Sequence, residues 1–87
     1  MKILVVEDDQ RVAELIQRGL SEHGFSPTVA YDGLSGKKLA INNEYDLIIT
    51  DIILPKLDGL DLCKQVRQIK PNLPIIMLTA LGTTKDK

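Results

Sequence analysis

The stretch ILVVEDD, residues 3–9, decides the fold. Four consecutive apolar residues, Ile3 to Val6, are followed at once by three acidic ones, Glu7, Asp8 and Asp9. A short apolar run without alternation is typical of a strand buried on both faces of a parallel sheet. The run is far too short for a signal peptide or a membrane span. It therefore predicts a buried strand with carboxylates at its carboxyl end.

Helices and strands alternate along the rest of the chain. Apolar spacing predicts helices at 10–23, 34–41 and 60–69, and apolar runs predict strands at 28–30, 47–50 and 74–79. Alternation of this kind predicts an α/β domain with right-handed crossovers and a parallel sheet covered on both faces.

Local signals refine this prediction. Gly24 supplies a helix end with positive φ, Asp32-Gly33 marks a turn into the second helix, and Pro27 favours an edge position for the second strand. We expect Leu15 and Ile16 to face the first strand. The third helix carries an apolar stripe at Leu60, Cys63, Val66 and Ile69.

Composition limits the functions that are possible. With 87 residues the chain fits one domain, and a net charge of -1 with 26% charged and 44% hydrophobic residues implies no general affinity for nucleic acid or membrane. The single cysteine, Cys63, cannot form an internal disulfide, which suits a reducing cytosol. We expect a cytoplasmic protein.

Polar side chains follow three of the predicted strands. Glu7, Asp8 and Asp9 end the first, Asp51 the third and Thr79 the fourth. Carboxylates that converge without a basic partner repel one another unless a cation is bound. Mg²⁺ suits such a cluster, whereas the lack of clustered His and Cys argues against zinc or iron. The plainer alternative is that the first three cap a helix and Asp51 makes an Asx-turn.

Four segments together resemble the motifs of the receiver domains of bacterial response regulators, in order and spacing. They are ILVVEDD (3–9), DLIITD (46–51), LPKLDG (54–59) and IMLTA (76–80). The resemblance covers the whole chain, residues 1–87. The ending LTALG (78–82) is similar to OmpR/PhoB-like regulators, which carry a winged-helix DNA-binding domain downstream.

The resemblance implies a flavodoxin-like (CheY-like), doubly wound, three-layer fold with four strands in the order 2-1-3-4. It also implies a role for each residue of one pocket. Asp51 is the phosphoacceptor. Asp8 binds Mg²⁺ directly, Glu7 binds it through water, and the Ile53 main-chain carbonyl is a further metal ligand. Thr79 is the switch hydroxyl and Ala80 leaves room for its movement, while Pro55 and Gly59 shape the loop after Asp51.

The resemblance further implies a sensor histidine kinase as partner, Mg²⁺ or Mn²⁺ as the ion, and DNA contact only through an output domain. Such a domain is a phosphoacceptor rather than an enzyme, with phosphotransfer and self-dephosphorylation as its only chemistry. Receiver domains continue through a fourth helix, a fifth strand with a phosphoryl-pairing lysine, and a fifth helix. No lysine here matches that position. Without the fifth strand we expect an open edge at the fourth strand, and without the fifth helix we expect exposure of residues 3–6 and 47–49. The chain should therefore self-associate or be only partly folded in dilute solution.

Three other classes of protein are alternatives to a receiver domain. Haloacid dehalogenase-type hydrolases need a second aspartate two residues after the nucleophile, where this chain has Ile53. A flavodoxin-like electron carrier needs a phosphate-binding loop after the first strand, where Glu7, Asp8 and Asp9 would repel the phosphate. An interaction module that keeps the fold without being phosphorylated stays open.

Overall fold

In the computed structural model of the chain, residues 1–78 are described, and they form four strands that alternate with three helices. The elements are β1 (Lys2–Val6), α1 (Gln10–Glu22), β2 (Ser26–Ala30), α2 (Gly33–Asn42), β3 (Leu47–Asp51), α3 (Gly59–Ile69) and β4 (Ile75–Leu78). Every predicted element is present within residues 1–78, with bounds shifted by a residue or two, and the predicted end of the fourth strand at Thr79 lies outside the described residues. Within residues 1–78, no helix has both the length and the apolar character needed to cross a membrane.

The four strands form one parallel sheet in the order β2-β1-β3-β4, as predicted. The chain moves outward from β1 to β2, then returns across β1 to β3 and on to β4. Because crossovers are right-handed, this reversal places α1 on one face of the sheet and α2 and α3 on the other. The result is a three-layer, doubly wound domain. Pro27 lies in the edge strand β2, as expected for a residue without a donor N–H.

An aspartate begins each helix. The side chains of Asp9, Asp32 and Asp58 accept hydrogen bonds from main-chain N–H groups in the first turns of α1, α2 and α3. Gly24, just after α1, has φ of 87°, which confirms the predicted helix end. The loops that carry these aspartates all lie beyond the carboxyl ends of the strands.

The main core lies between the sheet and helices α2 and α3. Its buried members are Leu4, Val6, Ala30, Ala40, Ile48, Leu54, Leu62, Val66 and Leu73. The expectation that residues 3–6 are exposed is wrong, since Ile3, Leu4, Val5 and Val6 are at most 1% exposed. β1 is an inner strand with helices on both faces, and these helices cover its side chains. Ile48 is buried as well, whereas Leu47 and Ile49 are half-buried.

Two predicted helix faces are only partly confirmed. In α1 the buried residue is Ala13, and Leu15 is 66% exposed, although Ile16 is half-buried as expected. In α3 the buried side chains are those of Leu62 and Val66, not the whole predicted stripe. Apolar residues three or four apart mark a helix face, but α1 packs over the β1–β2 side of the sheet through its small Ala13, and this packing leaves the Leu15 side chain exposed.

Candidate metal centre at the carboxyl ends of the strands

Three carboxylates from two neighbouring strands meet at one point. β1 pairs with β3 so that Val6 lies opposite Thr50, which places the loop after β1 beside the end of β3. Glu7, Asp8 and Asp51 each offer a carboxylate oxygen, and these oxygens all lie within 4.8 Å of one another. The sheet order therefore brings together residues that are 43 or 44 positions apart in the sequence.

The cluster is electrostatically strained without a cation. Glu7 is only 6% exposed, and this burial raises the pKa of its carboxyl above the ordinary value of 4.5. A hydrogen bond from the Asp9 main-chain N–H opposes the rise in pKa, while the negative charges of Asp51 and Asp8 add to it. Within residues 1–78, the ion pairs formed by lysine or arginine involve Asp32 and Glu44 and no member of this cluster.

The donor set fits a hard divalent cation. All three side chains offer oxygen, and neither His23 nor Cys63 belongs to the cluster. Mg²⁺ is bound in proteins through one or two carboxylates while keeping several waters, and a cluster open to solvent on one side permits this. Glu7 is buried, Asp51 is half-buried and Asp8 is exposed, so the site extends from the protein interior to the solvent.

Main-chain hydrogen bonds fix two of the carboxylates. Glu7 Oε2 accepts from the Asp9 N–H at 3.0 Å, and Asp51 Oδ1 accepts from the Ile52 N–H at 2.9 Å. Asp9 is used as the α1 cap, because its Oδ1 accepts from the Arg11 N–H at 2.9 Å. The capping alternative thus accounts for Asp9, and it leaves the convergence of the other three carboxylates unexplained.

The other predicted site residues lie in or beyond the loop that follows β3, residues 52–58, here called the β3–α3 loop. Ile53 lies two positions after Asp51 with its side chain 68% exposed, and Pro55 follows it. Gly59 begins α3 and donates its N–H to the Ile52 carbonyl at 2.6 Å. Thr79 and Ala80, predicted as the switch pair, lie outside the described residues.

Sequence reasoning missed how helix α2 contacts this loop. Lys56 has φ of 71°, and its Nζ lies 3.9 Å from a carboxylate oxygen of Asp32. The Gly33 N–H donates to the carbonyl of Pro55 at 3.2 Å. The sequence contained both turns, Asp32-Gly33 and the segment around Pro55, but no local pattern shows that two turns more than twenty residues apart touch.

Removal of one exposed carboxylate should weaken metal binding. We expect Asp8→Asn to lower Mg²⁺ affinity clearly, because Asp8 is an exposed oxygen donor whose loss leaves the core intact. Titration calorimetry with MgCl₂ measures this directly. Glu22→Gln, which removes the same charge at the far end of α1, is the control and should bind like the wild type. Equal affinity in the Asp8 variant would remove Asp8 from the site.

Burial of Glu7 should leave a pH signature in metal-free protein. Because the folded-state pKa of Glu7 is raised, the folded chain holds the proton of the Glu7 carboxyl more tightly than the unfolded chain does. The contribution of Glu7 to the free energy of unfolding therefore falls as pH rises from 4.5 through the folded pKa. We expect Glu7→Gln to be more stable than the wild type at neutral pH in EDTA, with the difference shrinking toward pH 4.5. Urea denaturation at several pH values tests this, and a difference independent of pH would contradict it.

Comparison with known proteins identifies the family of the chain. Residues 3–87 match the family model described as the response regulator receiver domain. Among curated relatives, the transcriptional regulatory protein CusR of Escherichia coli is 44% identical over 87 residues, which is 100% of this chain and 38% of CusR. The chain thus spans well under half the length of such relatives.

Solved structures show the same likeness. The receiver domain of the Francisella response regulator 1452 is 41% identical, with a TM-score of 0.88 over 99% of this chain and 71% of that one. The response regulator TrrA of Thermotoga maritima, solved in complex with Mg²⁺-BeF, is 34% identical, with a TM-score of 0.89 over 99% of this chain and 75% of TrrA. By sequence and by fold, the chain belongs to the response regulator receiver domain family.

Proposed function

We propose that this chain is a phosphoacceptor switch in which Asp51 receives a phosphoryl group from a histidine kinase. The observation that carries the proposal is the convergence of Asp51 with Glu7 and Asp8, whose carboxylate oxygens lie within 4.8 Å of one another. A strand-end aspartate beside two further carboxylates is suited to divalent metal and phosphoryl chemistry at the same point.

In the proposed step, a carboxylate oxygen of Asp51 attacks the phosphorus of a phosphohistidine on the kinase. A P–O bond forms, the P–N bond breaks, and its electron pair returns to the imidazole nitrogen. The Ile52 N–H, which donates to Asp51 Oδ1 at 2.9 Å, keeps this carboxylate oriented. Alignment is the main demand on the protein, because phosphoryl transfer asks little covalent chemistry of the acceptor.

Mg²⁺ would neutralise the negative charge that the carboxylates and the phosphoryl oxygens share. Asp8 and Asp51 would hold it directly, the Ile53 carbonyl would be a further ligand, and Glu7 would act through water. Glu7 is the most buried of the three carboxylates, which suits an indirect role. Mn²⁺ has the same preference for oxygen donors and would occupy the same place.

The proposal extends to the response of the domain once Asp51 is phosphorylated. Thr79 would hydrogen-bond the phosphoryl group, with Ala80 leaving room for the movement, and this would bias a two-state element that controls an output. Relatives such as CusR are named transcriptional regulatory proteins, so we infer an output that binds DNA, through a domain other than this one. On this proposal the chain is a cytoplasmic signalling domain and not an enzyme.

Acetyl phosphate distinguishes this function from that of an unphosphorylated interaction module. Incubation of the chain with acetyl phosphate and Mg²⁺ should add one phosphoryl group, which intact-mass spectrometry detects and which hydroxylamine should remove as an acyl phosphate. EDTA should prevent the addition. A chain that folds and binds Mg²⁺ yet never gains the phosphoryl mass would favour the interaction module.

Self-association is a further part of the proposal. Leu15, Ile76 and Leu78 are exposed by 66%, 50% and 37%, and the strand register places the last two on the face of the sheet that α1 covers only in part. Such an apolar surface favours association. Light scattering coupled to size exclusion should show species larger than a monomer, reduced by Leu15→Ala and unaffected by Leu60→Ala on the other face. A compact monomer at micromolar concentration would contradict this.

A further inference from the structure

We propose that the first turn of helix α2, at Asp32 and Gly33, is a positioning element that holds the β3–α3 loop in the shape required for metal binding. The inference rests on the proposed function of the carboxylate site. Neither residue belongs to the carboxylate cluster, so both would act only through the loop that carries Ile53.

The β3–α3 loop contains a strained turn. The Pro55 carbonyl accepts a hydrogen bond from the Leu57 N–H at 2.8 Å, and Lys56 between them has φ of 71°. A bond between residues two apart with positive φ at the middle residue is a γ-turn of the rarer form, which is unfavourable for a residue with a side chain. Such conformations persist only where the surrounding structure enforces them.

Helix α2 supplies that enforcement. The Gly33 N–H belongs to the first residue of the helix and has no partner inside it, and it donates to the same Pro55 carbonyl at 3.2 Å. One carbonyl therefore joins the strained turn to the helix. The Lys56–Asp32 ion pair at 3.9 Å also holds the loop against α2, although Lys56 is largely exposed and the pair adds little stability.

The contact is close enough to require glycine. A Cβ atom built at Gly33 would overlap the carbonyl oxygen of Leu57, and one built at Gly59 would overlap the carbonyl oxygen of Asp51. The loop is thus pressed against α2 on one side and against the start of α3 on the other. Ile53, the proposed carbonyl ligand, belongs to the loop that these two contacts hold.

Substitution of the α2 glycine tests the inference. We expect Gly33→Ala to displace the loop and lower Mg²⁺ affinity by about 10- to 100-fold, the range typical of groups that orient metal ligands. Gly19→Ala adds the same methyl group in α1, where no atom lies within 4 Å, and should change affinity by less than about twofold. Ala40→Gly destabilises the same helix far from the loop. It should therefore weaken folding in urea but leave Mg²⁺ affinity unchanged.

A measurement on the wild type covers the case in which Gly33→Ala fails to fold. Metal and helix contact must stabilise each other, since coupling between two sites is reciprocal. Saturating Mg²⁺ should therefore slow hydrogen exchange of the Gly33 and Leu57 amides, which share the Pro55 carbonyl, and leave unchanged the Asn43 amide at the other end of α2.

The outcomes separate the two proposals. If the wild type binds Mg²⁺ but these two amides exchange at the same rate with and without it, or if Gly33→Ala folds and binds like Gly19→Ala, the positioning role is wrong while the carboxylate site stands. If the wild type binds no Mg²⁺, the proposed function itself fails, and the positioning role with it.

Discussion

Asp51→Asn should abolish phosphorylation of the chain by acetyl phosphate. The substitution replaces the carboxylate that we propose as the nucleophile with an amide of the same shape, and it keeps an oxygen that can accept from the Ile52 N–H. It also removes one of three mutually repelling charges, so the fold should be at least as stable as in the wild type. Intact-mass spectrometry after treatment with acetyl phosphate and Mg²⁺ measures the loss, and circular dichroism confirms folding.

Asp58→Asn is the matched control for this experiment. Asp58 lies seven residues further along and caps α3 by accepting from the Asp61 N–H at 2.9 Å. Asparagine caps helices about as well as aspartate, so this variant should fold and be labelled like the wild type. Loss of labelling in Asp58→Asn together with labelling of Asp51→Asn would mean that the phosphoacceptor had been misplaced.

Leu62→Ala should be the most destabilising of the truncations considered. Leu62 is 1% exposed in the core between α3 and the sheet, and replacing such a leucine costs about 2 to 5 kcal/mol through lost burial and the cavity that remains. A domain of this size has only about 5 to 15 kcal/mol of stability, so this loss is a large share of the total. Urea denaturation at low protein concentration gives the free energy of unfolding.

Leu15→Ala is the contrasting case, and it reverses the sequence-based expectation for that residue. At 66% exposure its side chain leaves little to lose on truncation, so the change should stay within about 0.5 kcal/mol. If Leu62→Ala proves fully unfolded, Leu62→Met, which nearly conserves volume, should still fold with a loss below about 1.5 kcal/mol. Equal losses for Leu15→Ala and Leu62→Ala would show that α1 buries a different face.

The sequence by itself determined the order of the helices and strands and the acidic residues that lie at the strand ends and helix starts. An unbroken apolar run such as Ile3–Val6 predicts a strand buried on both faces. Asp9 and Asp32 lie just before predicted helices, where their side chains pair with free N–H groups. Because the strands are parallel, the carboxyl ends of neighbouring strands lie at one edge of the sheet. The meeting of Asp8 with Asp51 was predictable for that reason.

Tertiary structure alone decided which helix faces are buried and which contacts support the loop. The apolar pattern of α1 is compatible with burial of either Ala13 or Leu15. Which of the two contacts the sheet depends on where the helix axis lies over β1 and β2. The contact of Gly33 with Pro55 joins two turns distant in sequence, and no local pattern encodes a distance across the fold. The positive φ of Lys56 likewise has no signal in its own sequence, since lysine rarely adopts that conformation and does so here only where α2 contacts the turn.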